Sequence, residues 1–189
     1  DLDKLIAVAL TDGKQDVLLA SKNGKSIRFH EDDARPMGRV SRGVRGMSLE
    51  DDDVVIGMEV INSSATGSTI FTVTENGFGK RTELDEYRVQ SRSGKGIITI
   101  KTTERNGCVV DIMQVTDEND LMLITDQGKI LRIPVAQFSV IGRNTQGVRL
   151  MTAEQHERIV AVAKLAEKDE GDDGTDGGDD LPEAEVVEE

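Results

Sequence analysis

Short apolar runs separated by turn dipeptides fill most of the chain, and none reaches helical length. In the first set, Asp16 to Ser21 and Lys25 to Phe29 flank Asn23-Gly24, a dipeptide whose ease at positive φ marks a tight hairpin. Ile27 and Phe29 alternate with Ser26 and Arg28, the period-two pattern of a strand with unlike faces. Val44 to Leu49 and Val54 to Val60 are the predicted third and fourth strands. The fourth is more continuously apolar, as suits a strand covered on both faces. A second set follows with Thr69 to Thr74, Asn76-Gly77, Gly79 to Thr82, Ile97 to Thr102, Asn106-Gly107 and Cys108 to Val115. The third has Leu121 to Thr125, Gln127-Gly128, Lys129 to Ile133, Val148 to Met151 and Arg158 to Leu165. Lys4 to Leu10 reads as a fourth strand without its first three. With no initiator Met, the chain is expected to start inside a preceding blade.

The three sets keep register. Gly24, Gly77 and Gly128 lie 53 and then 51 residues apart, and the same offset carries Arg28 onto Arg81 and Arg132. It also carries Arg39 onto Arg92 and Arg143, and Gly43 onto Gly96 and Gly147. A period near 50 in a β-rich chain marks blades stacked side by side. The expected fold is all-β and propeller-like, with three four-stranded repeats at 16–67, 68–118 and 119–166. Residues 1–15 would hold the last strand of a preceding blade and a connector. Three blades are fewer than the roughly four to eight that close a propeller ring, so an open arc with an exposed N-terminal blade face is expected.

Charge changes this picture once it is divided by position. Glu167 to Glu189 carries 12 acidic residues and one lysine, interspersed with glycine, and reads as a disordered acidic tail. Removing it leaves a nearly neutral body in which the charges are sorted. Between Asp33 and Glu50 lie Arg35, Arg39, Arg42 and Arg45 with no acid. Between Glu86 and Glu104 lie Arg88, Arg92, Lys95 and Lys101, and between Asp126 and Glu154 lie Lys129, Arg132, Arg143 and Arg149. Stacked blades would align these windows into a cationic stripe, which duplex DNA binds by releasing counterions. Glycines such as those of Ser93-Gly94-Lys95-Gly96 let backbone amides approach phosphate. The residues expected to contact DNA are Arg28, Arg35, Arg39, Arg42, Arg45, Arg81, Arg92, Lys95, Arg132, Arg143 and Arg149.

Other chemistries find little support. With no tryptophan and five Phe or Tyr residues, there is no platform for stacking unpaired bases. No apolar run approaches the roughly 20 residues that span a bilayer. The single Cys108 excludes an internal disulfide, fits a reducing compartment and is expected to be a buried structural thiol. Gly24-Lys25-Ser26 would need glycine at Leu19 to form a phosphate-binding loop. His30 and His156 lie far apart without cysteine partners, so no metal site is expected. The only tyrosine, Tyr87, precedes a basic loop and is expected to pack or to touch phosphate.

The runs Thr74 to Thr82 (Thr-Glu-Asn-Gly-Phe-Gly-Lys-Arg-Thr), Thr103 to Gly107 (Thr-Glu-Arg-Asn-Gly), Ile141 to Val148 (Ile-Gly-Arg-Asn-Thr-Gln-Gly-Val) and Arg35 to Arg39 (Arg-Pro-Met-Gly-Arg) carry a resemblance. From residue 1 to about 165 the chain resembles the C-terminal domains of bacterial DNA gyrase A proteins. That resemblance implies a β-pinwheel whose four-stranded blades exchange strands, with duplex DNA wrapped around a basic outer edge. It further implies a non-catalytic part of an ATP-dependent type II topoisomerase that introduces negative supercoils. The remainder of gyrase A and the whole of gyrase B would be its partners, ATP and Mg2+ would belong to the holoenzyme alone, and the setting would be the bacterial cytoplasm. The family heptapeptide Gln-Arg-Arg-Gly-Gly-Lys-Gly is absent, and its nearest echo is Gln90 to Gly96. Two alternatives stay open, the related C-terminal domain of topoisomerase IV and a protein-binding propeller scaffold.

Overall fold

The computed structural model describes residues 4–62, 64–154 and 156–165, so the acidic segment Glu167 to Glu189 lies outside the described residues. Among the described residues, eleven strands form three sheets: β1 (Asp16–Ser21), β2 (Lys25–His30), β3 (Val55–Ile61), β4 (Thr69–Thr74), β5 (Phe78–Glu83), β6 (Ile97–Ile98), β7 (Val109–Val115), β8 (Asp120–Thr125), β9 (Ile130–Pro134), β10 (Val148–Arg149) and β11 (Ile159–Lys164). All described pairings between these strands are antiparallel, and the hairpins β1–β2, β4–β5 and β8–β9 turn at the three expected dipeptides. Gly24, Gly77 and Gly128 take φ of 83°, 80° and 81° there, as the hairpin geometry requires.

The strand order differs from a reading of each repeat as self-contained and has the strand exchange that the family resemblance implies. The sheets run β3-β1-β2-β6, β10-β5-β4-β7 and β11-β8-β9, so the third-strand segments of the second and third repeats serve the blade before them. Ile97–Ile98 pairs with β2, and Val148–Arg149 pairs with β5. Val44 to Leu49, expected as a third strand, pairs with no strand among the described residues. Lys4 to Leu10 likewise forms no strand, and Leu5, Val8 and Leu10 are exposed. A lone extended segment has no partner for its backbone groups, so the apolar pattern alone does not make it a strand.

The exchange is fixed by backbone contacts that repeat at both seams. The Gly24 carbonyl accepts from Thr99 and Ile100 N–H, and the Gly77 carbonyl accepts from Leu150 and Met151 N–H. Gln90 N–H donates to Arg28 O, and Ile141 N–H donates to Arg81 O. Side chains follow the same register. Leu18 and Ala20 face Ile70, Tyr87 and Ile100 across the first seam, while Phe71 and Val73 face Leu121 and Leu123 across the second. Every residue of β4 is buried because it lies between two blades, whereas β1 and β8 alternate buried with half-buried positions.

Cys108 is half-buried at the residue before β7, not within a strand as expected. Tyr87 is fully buried and its hydroxyl lies 2.8 Å from Thr99 Oγ1, so it packs within the first seam and is not positioned for phosphate.

Gly43, Gly96 and Gly147 test the exchange because they share one register position and differ in surroundings. All three have positive φ, but a Cβ on Gly96 would overlap the Ser26 carbonyl oxygen and one on Gly147 would meet Gly79 O at 2.6 Å. Around Gly43 nothing lies within 4 Å. Gly96→Ala and Gly147→Ala should each cost about 2–4 kcal/mol in urea unfolding of dilute protein, against about 1 kcal/mol for Gly43→Ala. Equal losses at the three positions would contradict the exchanged strands.

Candidate nucleic-acid interface

The arginines that recur in register turn out to join blades. Arg28 donates from Nε to Asp16 Oδ2 at 2.8 Å and from Nη1 to the carbonyls of Leu84 and Tyr87 in the next repeat, at 3.4 and 3.2 Å. Both partners of the ion pair are largely shielded, with side chains 12% and 11% exposed. Arg81 repeats the arrangement toward the third blade, donating to Val135 O at 3.2 Å. Thr69 stands where the first repeat has Asp16, and Arg81 instead pairs with Asp117 at 2.5 Å. Arg28 and Arg81, expected on a DNA surface, are therefore removed from it by burial. Arg132 keeps the local carboxylate, with Nε 2.6 Å from Asp120 Oδ2, but has no following blade and is exposed.

The second registered set behaves in the same way. Arg92 donates to the carbonyls of Asp33 and Arg45, and Arg143 donates to Ile98 O at 2.9 Å. Arg45 and Ile98 are equivalent positions, so each arginine ties its own loop to the third-strand segment of the preceding repeat. Arg143 also pairs with Glu86 at 3.5 Å. These two cations are partly satisfied within the protein. Arg39, their counterpart in the first repeat, is exposed and makes no described side-chain bond.

What remains for a ligand is Arg39 and the unregistered charge. Arg35, Arg42, Arg45 and Lys95, on the loops after the second strands, and Arg149, on β10, are exposed with no described ion pair. Arg149 and Arg105 both lie over the Phe78 ring, 5.5 and 4.9 Å from its centroid. Contacts between repeats fix these loops: Ser93 N–H donates to Gly46 O, Ser48 N–H to Gly94 O, and Ser48 Oγ to Ser93 O at 2.8 Å.

Lys80 was not among the expected site residues. It occupies the register position of Ile27 and Leu131, is fully buried, and donates to Gly142 O at 2.7 Å, to Arg143 O and to Thr145 Oγ1 at 3.2 Å. The ammonium thus organises the loop that carries Arg143. Burial pulls its pKa down to about 8; the Glu86 carboxylate opposes this and Arg143 adds to it. A lysine at an apolar register position was the available sequence signal.

The matched sequence covers the same three repeats. A family described as DNA gyrase C-terminal domain, beta-propeller, matches residues 15–62, 68–116 and 119–166. The chain belongs to this family. It is 47% identical over 167 residues to the DNA gyrase A protein of Salmonella typhimurium, covering 88% of this chain and 19% of that protein. The gyrase A protein of Staphylococcus epidermidis gives the same identity over 167 residues and the same coverage. The chain thus spans 19% of the length of these relatives. Among solved structures, it resembles the C-terminal domain of DNA topoisomerase IV (TM-score 0.78, 25% identity, 84% of this chain and 49% of that one). It also resembles a gyrase A C-terminal domain (TM-score 0.74, 25% identity, 81% of this chain and 51% of that one).

The chain is homologous to the C-terminal domain of gyrase A, a subunit of a type II topoisomerase. Among the described residues no group of three or more His, Cys, Asp or Glu side chains could hold a metal ion. No described helix is long and apolar enough to cross a membrane.

Two consequences are measurable. Replacing Arg28 with Gln leaves Asp16 without its partner in a shielded site and removes the donors to Leu84 and Tyr87, so unfolding should cost about 3 kcal/mol less. Arg35→Gln, on an exposed loop, should change stability by less than about 0.5 kcal/mol. For Lys80, the folded pKa lies below the ordinary value of 10.5, so the unfolded chain binds more protons between about pH 8 and that value. Stability should therefore rise with pH across this window by about 1–3 kcal/mol, and Lys80→Met should flatten the rise.

Proposed function

We propose that this chain is a non-catalytic DNA-binding module of a bacterial gyrase, holding and bending duplex along the exposed cations of its second-to-third-strand loops. The carrying observation is that Arg35, Arg42, Arg45 and Lys95 stay exposed and without described ion pairs while Arg28, Arg81, Arg92 and Arg143 are drawn into the seams. Family membership and the 47% identity to gyrase A proteins support the same reading. A backbone held rigid by seam contacts presents these charges at fixed spacing, so binding tracks phosphate position and duplex deformability more than base identity. In a whole gyrase the remainder of gyrase A together with gyrase B would supply strand passage, with ATP and Mg2+ acting there and the cytoplasmic chromosome as substrate.

Arg28, Arg81, Arg92 and Arg143 contribute to this indirectly, by holding adjacent blades in register. Arg149 contacts the duplex from beside Phe78. The cations that touch phosphate are those whose guanidinium or ammonium groups have no carbonyl or carboxylate to satisfy them.

With roughly five to seven phosphates neutralised, log K for duplex should fall against log salt with a slope of about -4.5 to -6, and with little dependence on sequence. Replacing Arg35, Arg42 and Lys95 together with glutamine should make the slope shallower by about 2.7. The same change at Lys4, Lys14 and Lys164, outside these loops, should leave it nearly unaltered. A slope for the unaltered chain shallower than about -2, or equal effects of the two triple variants, would remove the DNA-wrapping reading and favour a protein-binding scaffold.

A further inference from the structure

The outer corner of the middle sheet differs in chemistry from its two counterparts, although all three share one register. Where the first and third repeats place Lys25 and Lys129 after the hairpin glycine, the second places Phe78. Each lysine is balanced by carboxylates of its own repeat, Lys25 by Glu50 and Lys129 by Glu154 and Glu157. The positions equivalent to Glu50, Asp52 and Asp53 are Thr103, Arg105 and Asn106 in the second repeat. Three acidic positions are thus neutral or cationic around one ring. The borrowed outer strand adds to this, because the residue that is Ile98 on the first sheet is Arg149 on the second.

Arg105 and Arg149 reach the corner from different repeats. Their guanidinium carbons lie 4.9 and 5.5 Å from the Phe78 centroid, so one ring carries both charges. Phe78 is only 4% exposed, whereas both arginines are exposed and make no described ion pair or side-chain hydrogen bond. A ring attracts a guanidinium through its face and uses none of the N–H donors, which stay available to phosphate oxygens. Two like charges held together repel each other, and a bound anion relieves that repulsion.

The backbone around them is fixed before a ligand arrives, which lowers the cost of ordering the site. Asn106 is fully buried, and its Oδ1 accepts from the Thr103 N–H at 2.7 Å. Its Nδ2 donates to Lys101 O at 2.8 Å and to Gln146 O at 3.0 Å, tying the Arg105 loop to the segment that leads into Arg149. Asn76 Nδ2 donates to the carbonyls of Glu104 and Arg105, at 3.1 and 3.3 Å. Glu75, the carboxylate of the same turn, is already engaged by Arg158 and by the Cys108 N–H.

We propose that Arg105 and Arg149, seated on Phe78, form a two-armed clamp for the phosphates of duplex DNA on the middle blade. The clamp rests on the DNA-binding reading and adds to it, because Arg105 lies outside the loops between second and third strands. It is assembled where the third repeat lends its strand to the second, so neither repeat carries it alone. The first sheet, with Lys25, Asp52 and Ile98 at the same positions, has no counterpart.

Anisotropy titrations of a random-sequence duplex of about 40 base pairs with the 189-residue chain test this. At about 100 mM salt, Arg105→Gln and Arg149→Gln should each weaken binding about fivefold or more and make the slope of log K against log salt shallower by about 0.9. Lys14→Gln, an equal loss of charge away from the corner, should weaken it less than about twofold. Phe78→Leu keeps the corner apolar and both charges present, so it should weaken binding about threefold with the slope unchanged. Circular dichroism checks that each variant is folded. If the unaltered chain binds with a slope of about -4.5 to -6 while both glutamine variants stay within about twofold of it, the clamp is overturned and the DNA-binding reading stands. A folded Phe78→Leu variant of unaltered affinity, or a Lys14→Gln loss equal to that of the two arginines, would overturn the clamp as well. An unaltered chain that does not bind duplex at low salt would overturn both the clamp and the reading beneath it.

Discussion

The first and second blades are each one strand short on their own, and the missing strand comes from the repeat that follows. This follows from a small set of backbone bonds, chiefly those that Thr99 and Leu150 N–H make to Gly24 and Gly77 carbonyls. A hairpin of two strands is marginal in water, and the third strand, β3 on β1 or β7 on β4, does not cover the outer edge of β2 or β5. Because the covering segment is borrowed, no blade can be removed without opening its neighbour. The apolar seams then form between blades, with the middle sheet buried on both faces. Stability, spacing of the loops and presentation of charge all depend on this one exchange.

The exchange also divides the cations into two populations. Arginine is suited to a seam because its planar guanidinium can meet a carboxylate and several carbonyls at once. Arg28 does so with Asp16, Leu84 and Tyr87, and Arg92 and Arg143 serve the other side of the same junction. Lys80 performs a related task from a buried position, where three oxygens surround its ammonium group. The cations left over, Arg35, Arg42 and Lys95 among them, sit on loops that these contacts hold still. Charge used for assembly and charge available to a polyanion are thus adjacent in sequence but separate in role.

The sequence carried much of the fold. Turn dipeptides located all three hairpins, and the bounds of β1 and β4 coincide with the predicted runs. The register of the glycines gave the blade repeat correctly. Partner choice was less accessible: Ile97 and Val148 look like third strands of their own repeats, and periodicity does not say which sheet a short apolar segment joins. Exact repetition of Arg28, Arg81 and Arg132 was read as a ligand surface, although repetition is equally what a junction repeated between blades demands. The useful signal lay in the neighbours. Asp16 and Asp120 accompany their arginines at a fixed spacing of twelve, a local ion pair, whereas Arg42 has its nearest acids, Asp33 and Glu50, in the flanking segments.

Native-state hydrogen exchange at individual amides tests the strand exchange most directly, because it reads the borrowed hydrogen bonds one at a time. In dilute protein Thr99 and Leu150, whose N–H groups reach into the preceding blade, should be protected to the level of β1 and β4. Gly46, at the same register position in the first repeat, should exchange as an open loop does. If Thr99 and Leu150 exchange as fast as Gly46, the third-strand segments are not shared between blades and the account of both the seams and the free cations fails.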